Sequence, residues 1–379
     1  MIYLDNAAAT YVDEKVYKKM RFFYSSIYGN ASGVYRFAQK SRAAVDESRK
    51  TVANIINCKL KEVYFTSGGT EANNWAVFGV AEVYTGKGKH IITTTIEHDS
   101  ILNPIYELKR RGFDVTFLPV DRNGHINIIK LKDNIKPKTT LVSIGYANSE
   151  IGTIENIMEI GKILHEKKIL FHTDACQAAG ALSLDVNELN VDLMTLNAGK
   201  IYGPKGVGIL YVRDGIKITP LIYGGGQEYR MRGGTENVPG IVGMAEALKM
   251  AEGRRLLEFN RLTKLRDDFI KFLKEEIPNI NLNGDPINRL PNNINISFKG
   301  VNSESLLLRL DMAGVCASAG SACASGSVEP SHVLLGIGLN KQIAKSSLRF
   351  TLGRKTTWKE LKKTTGILKE IIKDLRKNR

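Results

Sequence analysis

Short apolar runs rich in β-branched residues alternate with longer amphipathic stretches from residue 13 to about residue 250. Seven of the runs have the composition of strands: EVYFTS, KHIITTTI, DVTFLPV, TTLVSIGY, ILFHTDA, DLMTLNA and GVGILYV. Stretches between several of them, such as EANNWAVFGVAEVY and IENIMEIGKILHEKK, have the apolar spacing of helices. This alternation favours an α/β architecture, a mostly parallel sheet with helices on both faces. Ligands bind outside the carboxyl ends of the strands in such sheets.

The pattern changes after about residue 252. A long charged amphipathic helix, GRRLLEFNRLTKLRDDFIKFLKEEI, precedes a turn rich in Pro and Asn, the strand NNINISF, a further helix and the small-residue loop SAGSACASGSVEP. The last segment keeps apolar residues at helical spacing: Trp358, Leu361, Leu368, Ile372 and Leu375. We therefore predict a large domain over residues 13–252 and a smaller α+β domain made of residues 1–12 and 253–379.

Composition excludes several classes of protein. Hydrophobic residues make up 43% of the chain and charged residues 25%, which is typical of a globular protein and not of a disordered or fibrous one. No apolar run approaches the roughly 18–20 residues that span a bilayer. The start, MIYLDNAAAT, has no charged segment before an apolar stretch. We expect a soluble, cytoplasmic protein without a membrane partner.

Charge and cysteine content narrow the chemistry further. The formal net charge is +15, but the basic residues are spread along the chain and form no block with interleaved aromatic residues. Two explanations of this charge stay open: attraction to RNA or to an acidic partner, and a lysine-rich composition that serves no partner. Nothing in the pattern requires direct binding to nucleic acid. The four cysteines have irregular spacing and no C-x-x-C pair, which argues against a disulfide framework and against a metal site. Cys176 and Cys316 are expected to be packed thiols, and Cys58 has no evident role.

Candidate catalytic and ligand-binding residues follow the predicted strands. Gly68-Gly69-Thr70 comes after VYFTS and before a helix, and a helix N-terminus preceded by small residues suits a phosphate. The sequence contains neither the nucleotide-binding motif G-x-x-x-x-G-K-[ST] nor the motif G-x-G-x-x-G after a strand. It therefore lacks the usual signals of a nucleotide-binding protein. The other strand ends carry His98, Asn148, Asp174 with Gln177 beyond it, and Lys200. A phosphate site, a carboxylate for a pyridinium nitrogen and a lysine for an aldehyde form the set that pyridoxal 5′-phosphate needs.

The chain resembles the cysteine desulfurases of the class V aminotransferase family almost from end to end. The strings that carry the resemblance are YLDNAAAT, YFTSGGTEANN, TTIEH, ANSEIGT, HTDACQAAG, KIYGPKGVG, GGGQE, RGGTENVPGIVG, SAGSACASGSVEPSHVL and SLRFTLGR. The resemblance implies the aspartate aminotransferase-like fold of pyridoxal-phosphate-dependent transferases, with the cofactor in the large domain. It also implies conversion of L-cysteine to L-alanine, with the sulfur passed to an acceptor protein for iron–sulfur cluster assembly or tRNA thiolation.

The resemblance also assigns roles to particular residues. Around the cofactor, it implies that Gly69 and Thr70 hold the phosphate beside Asn197 and Gly199, that His98 stacks on the ring and moves protons, and that Asn148, Asp174 and Gln177 meet the ring hydroxyl, nitrogen and oxygen. Lys200 is then the Schiff-base lysine, and Thr235 reaches the phosphate of the other subunit in a homodimer. Arg349, with Asn148, binds the substrate, and Cys323 on the small-residue loop takes the sulfur as a persulfide.

The sequence departs from the family at a few positions. The family usually has Ser/Thr-x-His-Lys at the Schiff-base lysine, whereas this chain has Asn197-Ala198-Gly199-Lys200. Ala31, Tyr35 and Gly233 also replace the usual Pro, His and Ser/Thr. Alternative functions are a selenocysteine lyase, another enzyme of the same fold, or a weakly active homologue that serves as the partner of a cluster scaffold. The cysteine of the SAGSACASGS loop argues against an aminotransferase, which has no need for it.

Overall fold

The computed structural model describes residues 1–320 and 330–377. Its strands are β1 (Ile2–Tyr3), β2 (Val63–Thr66), β3 (His90–Thr94), β4 (Asp114–Leu118), β5 (Thr139–Ser143), β6 (Leu170–Asp174), β7 (Leu193–Asn197), β8 (Gly208–Val212), β9 (Ile280–Leu282), β10 (Asn293–Phe298), β11 (Val315–Cys316) and β12 (Ser347–Thr351). Each of the seven predicted apolar runs contains one strand of a seven-stranded sheet.

The helices are α1 (Glu14–Met20), α2 (Phe22–Ser25), α3 (Arg36–Ile56), α4 (Gly69–Tyr84), α5 (Asp99–Arg110), α6 (Ile128–Asn134), α7 (Ile157–Glu166), α8 (Val238–Glu252), α9 (Arg255–Glu276), α10 (Ser303–Met312), α11 (His332–Gly336), α12 (Lys341–Ala344) and α13 (Trp358–Lys377). Short 3₁₀ turns cover Leu60–Glu62, Ala198–Lys200 and Glu228–Arg230. In the described part of the chain, no helix combines the length and the apolar character that crossing a bilayer needs.

The large sheet has the strand order β2-β8-β7-β6-β5-β3-β4. Neighbouring strands from β7 to β4 pair in parallel, and only β8 runs antiparallel to its neighbours β7 and β2. Helices α4 and α5 pack on one face through Trp75 and Ile101, while α3, α7 and α8 pack on the other. The predicted α/β fold with a mostly parallel sheet is confirmed, and its parallel strands end at one common edge.

A second, smaller sheet has the antiparallel order β12-β10-β9, and β1 pairs with β11 beside it. Helices α9, α10 and α13 pack against this sheet in a separate apolar cluster, in which the rings of Phe269 and Phe350 meet edge to face at 6.0 Å. The predicted strand NNINISF is β10. The division into domains at residues 12/13 and 252/253 stays a prediction.

The turn after β5 is held by side chains from the region of the smaller sheet. Consecutive carbonyl groups accept hydrogen bonds there: Ser149 from Asn293 and Arg349, Glu150 from Asn295, and Ile151 from Arg289. Buried carbonyl groups need such partners, so this turn fixes the small sheet against the edge where the parallel strands end. Arg349 thereby reaches that edge from β12.

Candidate active site

A cavity of about 230 Å³ lies at the carboxyl ends of the parallel strands. It brings together most of the residues that the sequence predicts for the site: Gly69, Thr70, His98, Asn148, Asp174, Gln177, Asn197, Lys200 and Arg349. Gly199 and Thr235 are not among the described residues that line it. Cys323 lies outside the described residues.

The start of α4 forms one wall of the cavity. Gly68, the residue before the helix, has a φ of +151°, which glycine adopts without strain, and it offers no side chain to the first N–H groups of the helix. A Cβ atom on Gly69 would lie 2.9 Å from the Cys176 sulfur, so this position has room only for glycine. The uncapped N–H groups and the helix dipole together suit a phosphate.

Asp174 stands at the end of β6 with both carboxylate oxygens engaged. Its Oδ1 accepts from the backbone N–H of Cys176 at 2.9 Å, and its Oδ2 accepts from Nδ2 of Asn73 at 2.7 Å. Both donors are neutral, so they orient the carboxylate without neutralising it. A half-buried carboxylate needs a cationic partner or several hydrogen-bond donors, and the structure supplies two donors.

Lys200 ends the 3₁₀ turn that follows β7. Its Nζ donates to the carbonyl oxygens of Ala7 and Ala8, at 2.8 Å and 2.6 Å, so the first residues of the chain pass beside it. Lys205, the next lysine along the chain, is exposed and does not line the cavity.

Asn197 and Gly199 have different surroundings although both precede Lys200. Oδ1 of Asn197 accepts from the backbone N–H of Gly199 at 3.0 Å, and its Nδ2 lies 3.5 Å from the position of a Cβ atom on Gly69. The amide of Asn197 therefore directs its donor group towards the start of α4. The carbonyl of Gly199 accepts from the N–H and the hydroxyl of Thr10, so Gly199 uses both of its backbone groups inside the protein.

Arg349 is 2% exposed, and two of its nitrogens have partners. Its Nη2 binds Oδ1 of Asp5 at 2.8 Å, and its Nη1 donates to the carbonyl of Ser149 at 3.2 Å. Its Nε is buried without a hydrogen-bond partner among the described residues. Each Nη group has a second hydrogen, and a guanidinium that lines a cavity with such hydrogens suits the carboxylate of a small substrate.

Asn148 and Gln177 are oriented by backbone groups. Oδ1 of Asn148 accepts from the N–H groups of Glu150 and Ile151, and its Nδ2 donates to the carbonyl of Ile96. Nε2 of Gln177 donates to the carbonyl of Ala7 at 3.0 Å. Each NH₂ group has a second hydrogen, so both residues can also donate to a molecule in the cavity.

Several ionisable groups near the cavity have shifted pKa values. Burial raises the pKa of Glu97 to about 7, although Thr94 and Gly145 donate to its carboxylate. Burial lowers the pKa of His172, two residues before Asp174 on β6, to about 4, so this histidine is neutral at pH 7. Burial also raises the pKa of the Cys176 thiol well above its usual value.

The cysteines are free thiols in the described residues. Cys176 is buried, as predicted, whereas the prediction for Cys316 is wrong in part: this residue sits in β11 at the margin of the small sheet and is only half-buried. Cys58 is half-buried, and burial raises its pKa to about 12.

The sequence reasoning missed some residues that line the cavity: Asn73, Glu97, Ser100, Glu150, Cys176 and His332. Asn73 could have been found, because it follows the G-G-T segment by one helical turn in TEANN. Glu150 could not have been found, because its carboxylate accepts a hydrogen bond at 2.5 Å from Ser331, which is 181 residues away in the sequence.

The side chains fit pyridoxal 5′-phosphate. The uncapped helix start and Nδ2 of Asn197 would hold the phosphate, Asp174 the ring nitrogen, and Lys200 the aldehyde carbon. A Cβ atom on Gly68, the residue before the helix, would meet no atom within 4 Å, so the space there is open for the phosphate group.

Comparisons with known proteins agree with this geometry. The family model for Aminotransferase class-V matches residues 2–363. The chain is 49% identical to a cysteine desulfurase IscS of Dictyoglomus turgidum, over 99% of this chain and 95% of the relative. It is 46% identical to a cysteine desulfurase IscS of Methanosarcina thermophila, over 99% and 93% of the two chains.

Solved structures with the same fold include a NifS-like protein, with a TM-score of 0.93 and 34% identity over 98% of this chain and 99% of that one. SspA in complex with cysteine has a TM-score of 0.83 and 35% identity over 93% and 99% of the two chains. The chain belongs to the aminotransferase class-V family. The resemblance in the sequence is thus confirmed, together with the fold class and the dependence on pyridoxal phosphate of this family.

Proposed function

We propose that this protein is a pyridoxal-phosphate-dependent cysteine desulfurase that converts L-cysteine to L-alanine and passes the sulfur to Cys323. The observation that carries the proposal is the meeting of Lys200, Asp174 and Arg349 in one cavity beside an uncapped helix start. Relatives that share 46–49% of their residues with this chain are named cysteine desulfurases. Pyridoxal phosphate supplies an electron sink for negative charge at the α-carbon of the substrate.

The residues of the chain then have separate tasks. Arg349 binds the substrate carboxylate through the remaining hydrogens of its Nη groups, and its position is fixed by Asp5 and Ser149. Lys200 carries the amine that holds and exchanges a proton at the α-carbon. Asp174 keeps the cofactor nitrogen protonated, since Asn73 and Cys176 hold its carboxylate in place.

The sulfur-transfer step balances with Cys323 as the acceptor. The Cβ–S bond of the substrate breaks, and an S–S bond forms on the Cys323 thiolate. The enzyme thiol becomes a persulfide, and the carbon skeleton leaves as alanine with the proton that the thiol gave up. A thiol reductant or an acceptor protein then removes the sulfur. The acceptor protein is a cluster scaffold or a tRNA-thiolation enzyme.

An assay of alanine and sulfide from L-cysteine, with cofactor-saturated protein and a thiol reductant, tests the activity. Lys200→Ala should abolish both products, whereas Lys205→Ala, a control on the same segment, should keep them. Cys323→Ser should still bind the cofactor but carry no persulfide, and Cys316→Ser serves as its control. Sulfide release at the wild-type rate from Cys323→Ser would contradict the assigned nucleophile.

The proposal includes a homodimer with a shared cofactor site. Thr235 is exposed and lies in the segment 221–236, which contacts α3 through a buried ion pair between Arg49 and Glu228. Large apolar side chains are exposed in this segment, at Tyr223 and Tyr229, and in the residues before α3, at Tyr28, Val34 and Tyr35. A second copy that covers them would bring Thr235 to the neighbouring cavity. The free thiols of Cys58, Cys176 and Cys316 support a reducing compartment, which we take to be the cytoplasm.

Light scattering should give about twice the chain mass of 42.0 kDa for the cofactor-bound protein. Thr235→Ala should weaken cofactor binding, although this residue does not line the cavity of its own chain. A monomer with full cofactor affinity would rule out the shared site.

A further inference from the structure

Asn73 joins two site residues that the sequence treats as independent. Its Nδ2 donates to Oδ2 of Asp174 at 2.7 Å and to Oγ of Ser100 at 2.8 Å. Oγ of Ser100 lies 2.8 Å from Nδ1 of His98. Asn73 is 1% exposed, and a chain of hydrogen bonds runs through it from Asp174 to His98.

The acceptors fix the direction of each hydrogen bond. A carboxylate oxygen only accepts, so the atom of Asn73 that faces Asp174 must be the NH₂ group. Oδ1 of Asn73 is buried without a partner among the described residues, and the two hydrogen bonds of Nδ2 oppose this cost. Since Ser100 accepts from Asn73, its own hydroxyl hydrogen is available to donate to Nδ1 of His98.

A second donor reaches the same imidazole nitrogen. His98 is the residue before α5, and its Nδ1 accepts from the backbone N–H of Ser100 at 3.0 Å. With two donors directed at it, Nδ1 carries no hydrogen, and the neutral ring keeps its hydrogen on Nε2. The ring lines the cavity, so Nε2–H is the group that His98 can offer to a proton acceptor there.

We propose that Asn73 is a positioning residue that holds the Asp174 carboxylate and, through Ser100, the Nε2–H form of His98. The inference rests on the proposed function, in which Asp174 pairs with the cofactor nitrogen and His98 lies over the ring. Asn73 itself contacts neither cofactor nor substrate through its buried oxygen; it acts through the two residues that do.

Three variants separate the effect of Asn73 on Asp174 from its effect on His98. Asn73→Ala removes both donations, and Ser100→Ala removes only the hydroxyl between Asn73 and His98. Asn74→Ala is the matched control, because Asn74 neighbours Asn73 on α4 but donates to the carbonyl groups of Thr70 and Ser100. The two readouts are the ¹⁵N spectrum of the His98 imidazole in cofactor-free protein and the dissociation constant of pyridoxal phosphate.

In the wild type, the His98 spectrum should show the hydrogen on Nε2 at neutral pH. Ser100→Ala removes one hydrogen bond to Nδ1 of His98, so the Nδ1 resonance should move towards that of a nitrogen that accepts fewer hydrogen bonds. The affinity for the cofactor should change by less than about 2-fold. Asn73→Ala should move the same resonance and also weaken cofactor binding about 10-fold, since a donor to a charged acceptor is lost. Asn74→Ala should change neither. If Asn73→Ala does not fold, Asn73→Val, which is closer in volume and has no side-chain donor, must give both changes.

A hydrogen on Nδ1 of His98 in the wild-type protein would overturn the proposal. An Asn73 variant that changes only one of the two readouts, or neither, would also overturn it. Equal effects of the Asn73 and Asn74 variants would reduce both residues to structural ones. The imidazole spectrum requires no turnover, so a protein without desulfurase activity would refute the proposed function and leave this test intact.

Discussion

Residues 228–230 adopt three left-handed backbone conformations in succession, with φ values of 44°, 58° and 67° at Glu228, Tyr229 and Arg230. Such a conformation costs roughly 1–2 kcal/mol for a residue other than glycine. Arg49 holds the turn: it binds both oxygens of the Glu228 carboxylate, at 2.6 Å and 2.9 Å, and its guanidinium lies 5.1 Å from the centre of the Tyr229 ring. The turn lies within the segment 221–236, which we propose as part of the dimer contact, so its backbone strain falls on that surface.

Arg230→Gly should therefore raise the free energy of unfolding by about 0.5–1 kcal/mol, because glycine adopts the same φ without strain and loses part of the gain through its more flexible unfolded state. Urea denaturation measures the change. Arg230→Ala removes the same side chain but keeps a Cβ atom, so it should show no increase. An equal effect of the two substitutions would mean that side-chain contacts, and not the backbone, decide the stability here.

Asn197 replaces a hydroxyl residue of the family, and its NH₂ group faces the start of α4. Asn197→Ala should weaken binding of pyridoxal phosphate about 10-fold, because one donor to a charged phosphate is lost. Asn197→Asp should weaken it further, since a carboxylate would face the phosphate. A dialysis or fluorescence titration gives the dissociation constants.

Gly199→Ala is the control for this prediction. A Cβ atom there would lie 3.5 Å from Oδ1 of Asn197 and 3.8 Å from the Lys205 side chain, which are ordinary contacts. Cofactor affinity should therefore stay within about 2-fold of the wild type. A loss in Gly199→Ala as large as that in Asn197→Ala would show that the turn, and not the amide, holds the phosphate.

At the scale of elements, the sequence predicts the strands of the large sheet and the site residues that follow them. Both rest on local signals: β-branched runs give the strands, and the ends of parallel strands meet at one edge. The contacts that orient the site are not local. Lys200 meets Ala8 across 192 residues, and Arg349 meets Asp5 across 344 residues. Strand β1 has only two residues and exists through its pairing with β11, so no periodicity in the sequence reveals it.

The turn between β5 and α7 gives a test at this scale. Gly152 has a φ of +77°, and a Cβ atom on it would lie 2.8 Å from the Asn293 side chain. Gly152→Ala should lower the free energy of unfolding by about 2–4 kcal/mol, because backbone strain and a clash with a packed side chain add. Gly112→Ala, where φ is +85° and no atom lies within 4 Å, isolates the backbone part and should cost about 1 kcal/mol. Urea denaturation that finds equal losses would show that Asn293 moves aside freely.

At the scale of the whole molecule, His125 links the loop after β4 to the turn before β10. Its Nε2 lies 2.9 Å from Oδ2 of Asp285, and its Nδ1 lies 3.9 Å from Oε1 of Glu155. The carboxylates of Glu155 and Asp285 raise the pKa of His125 to about 9, so the imidazole is charged at neutral pH. The backbone N–H of His125 also binds Asp121, which adds a third negative charge on this side. This ion pair therefore adds to the carbonyl contacts that hold the two sheets together.

The raised pKa makes stability depend on pH. A histidine whose pKa is higher in the folded state than in the unfolded state stabilises the protein fully below about pH 6.5, and this contribution is lost as the pH rises through about 9. The side chain is 24% exposed, so solvent screening limits the contribution to about 1–2 kcal/mol. His125→Gln should therefore lower the free energy of unfolding by that amount at pH 7 and by much less at pH 10.

Urea denaturation of the wild type and the variant at both pH values measures this difference. Lysines and tyrosines that titrate near pH 10 do so in both proteins and cancel in the comparison. His165→Gln, at an exposed histidine near the end of α7, is the matched control and should change the free energy of unfolding by less than about 0.5 kcal/mol. A loss in His125→Gln that is the same at pH 7 and pH 10 would mean that packing of the ring, and not its charge, joins the two sheets.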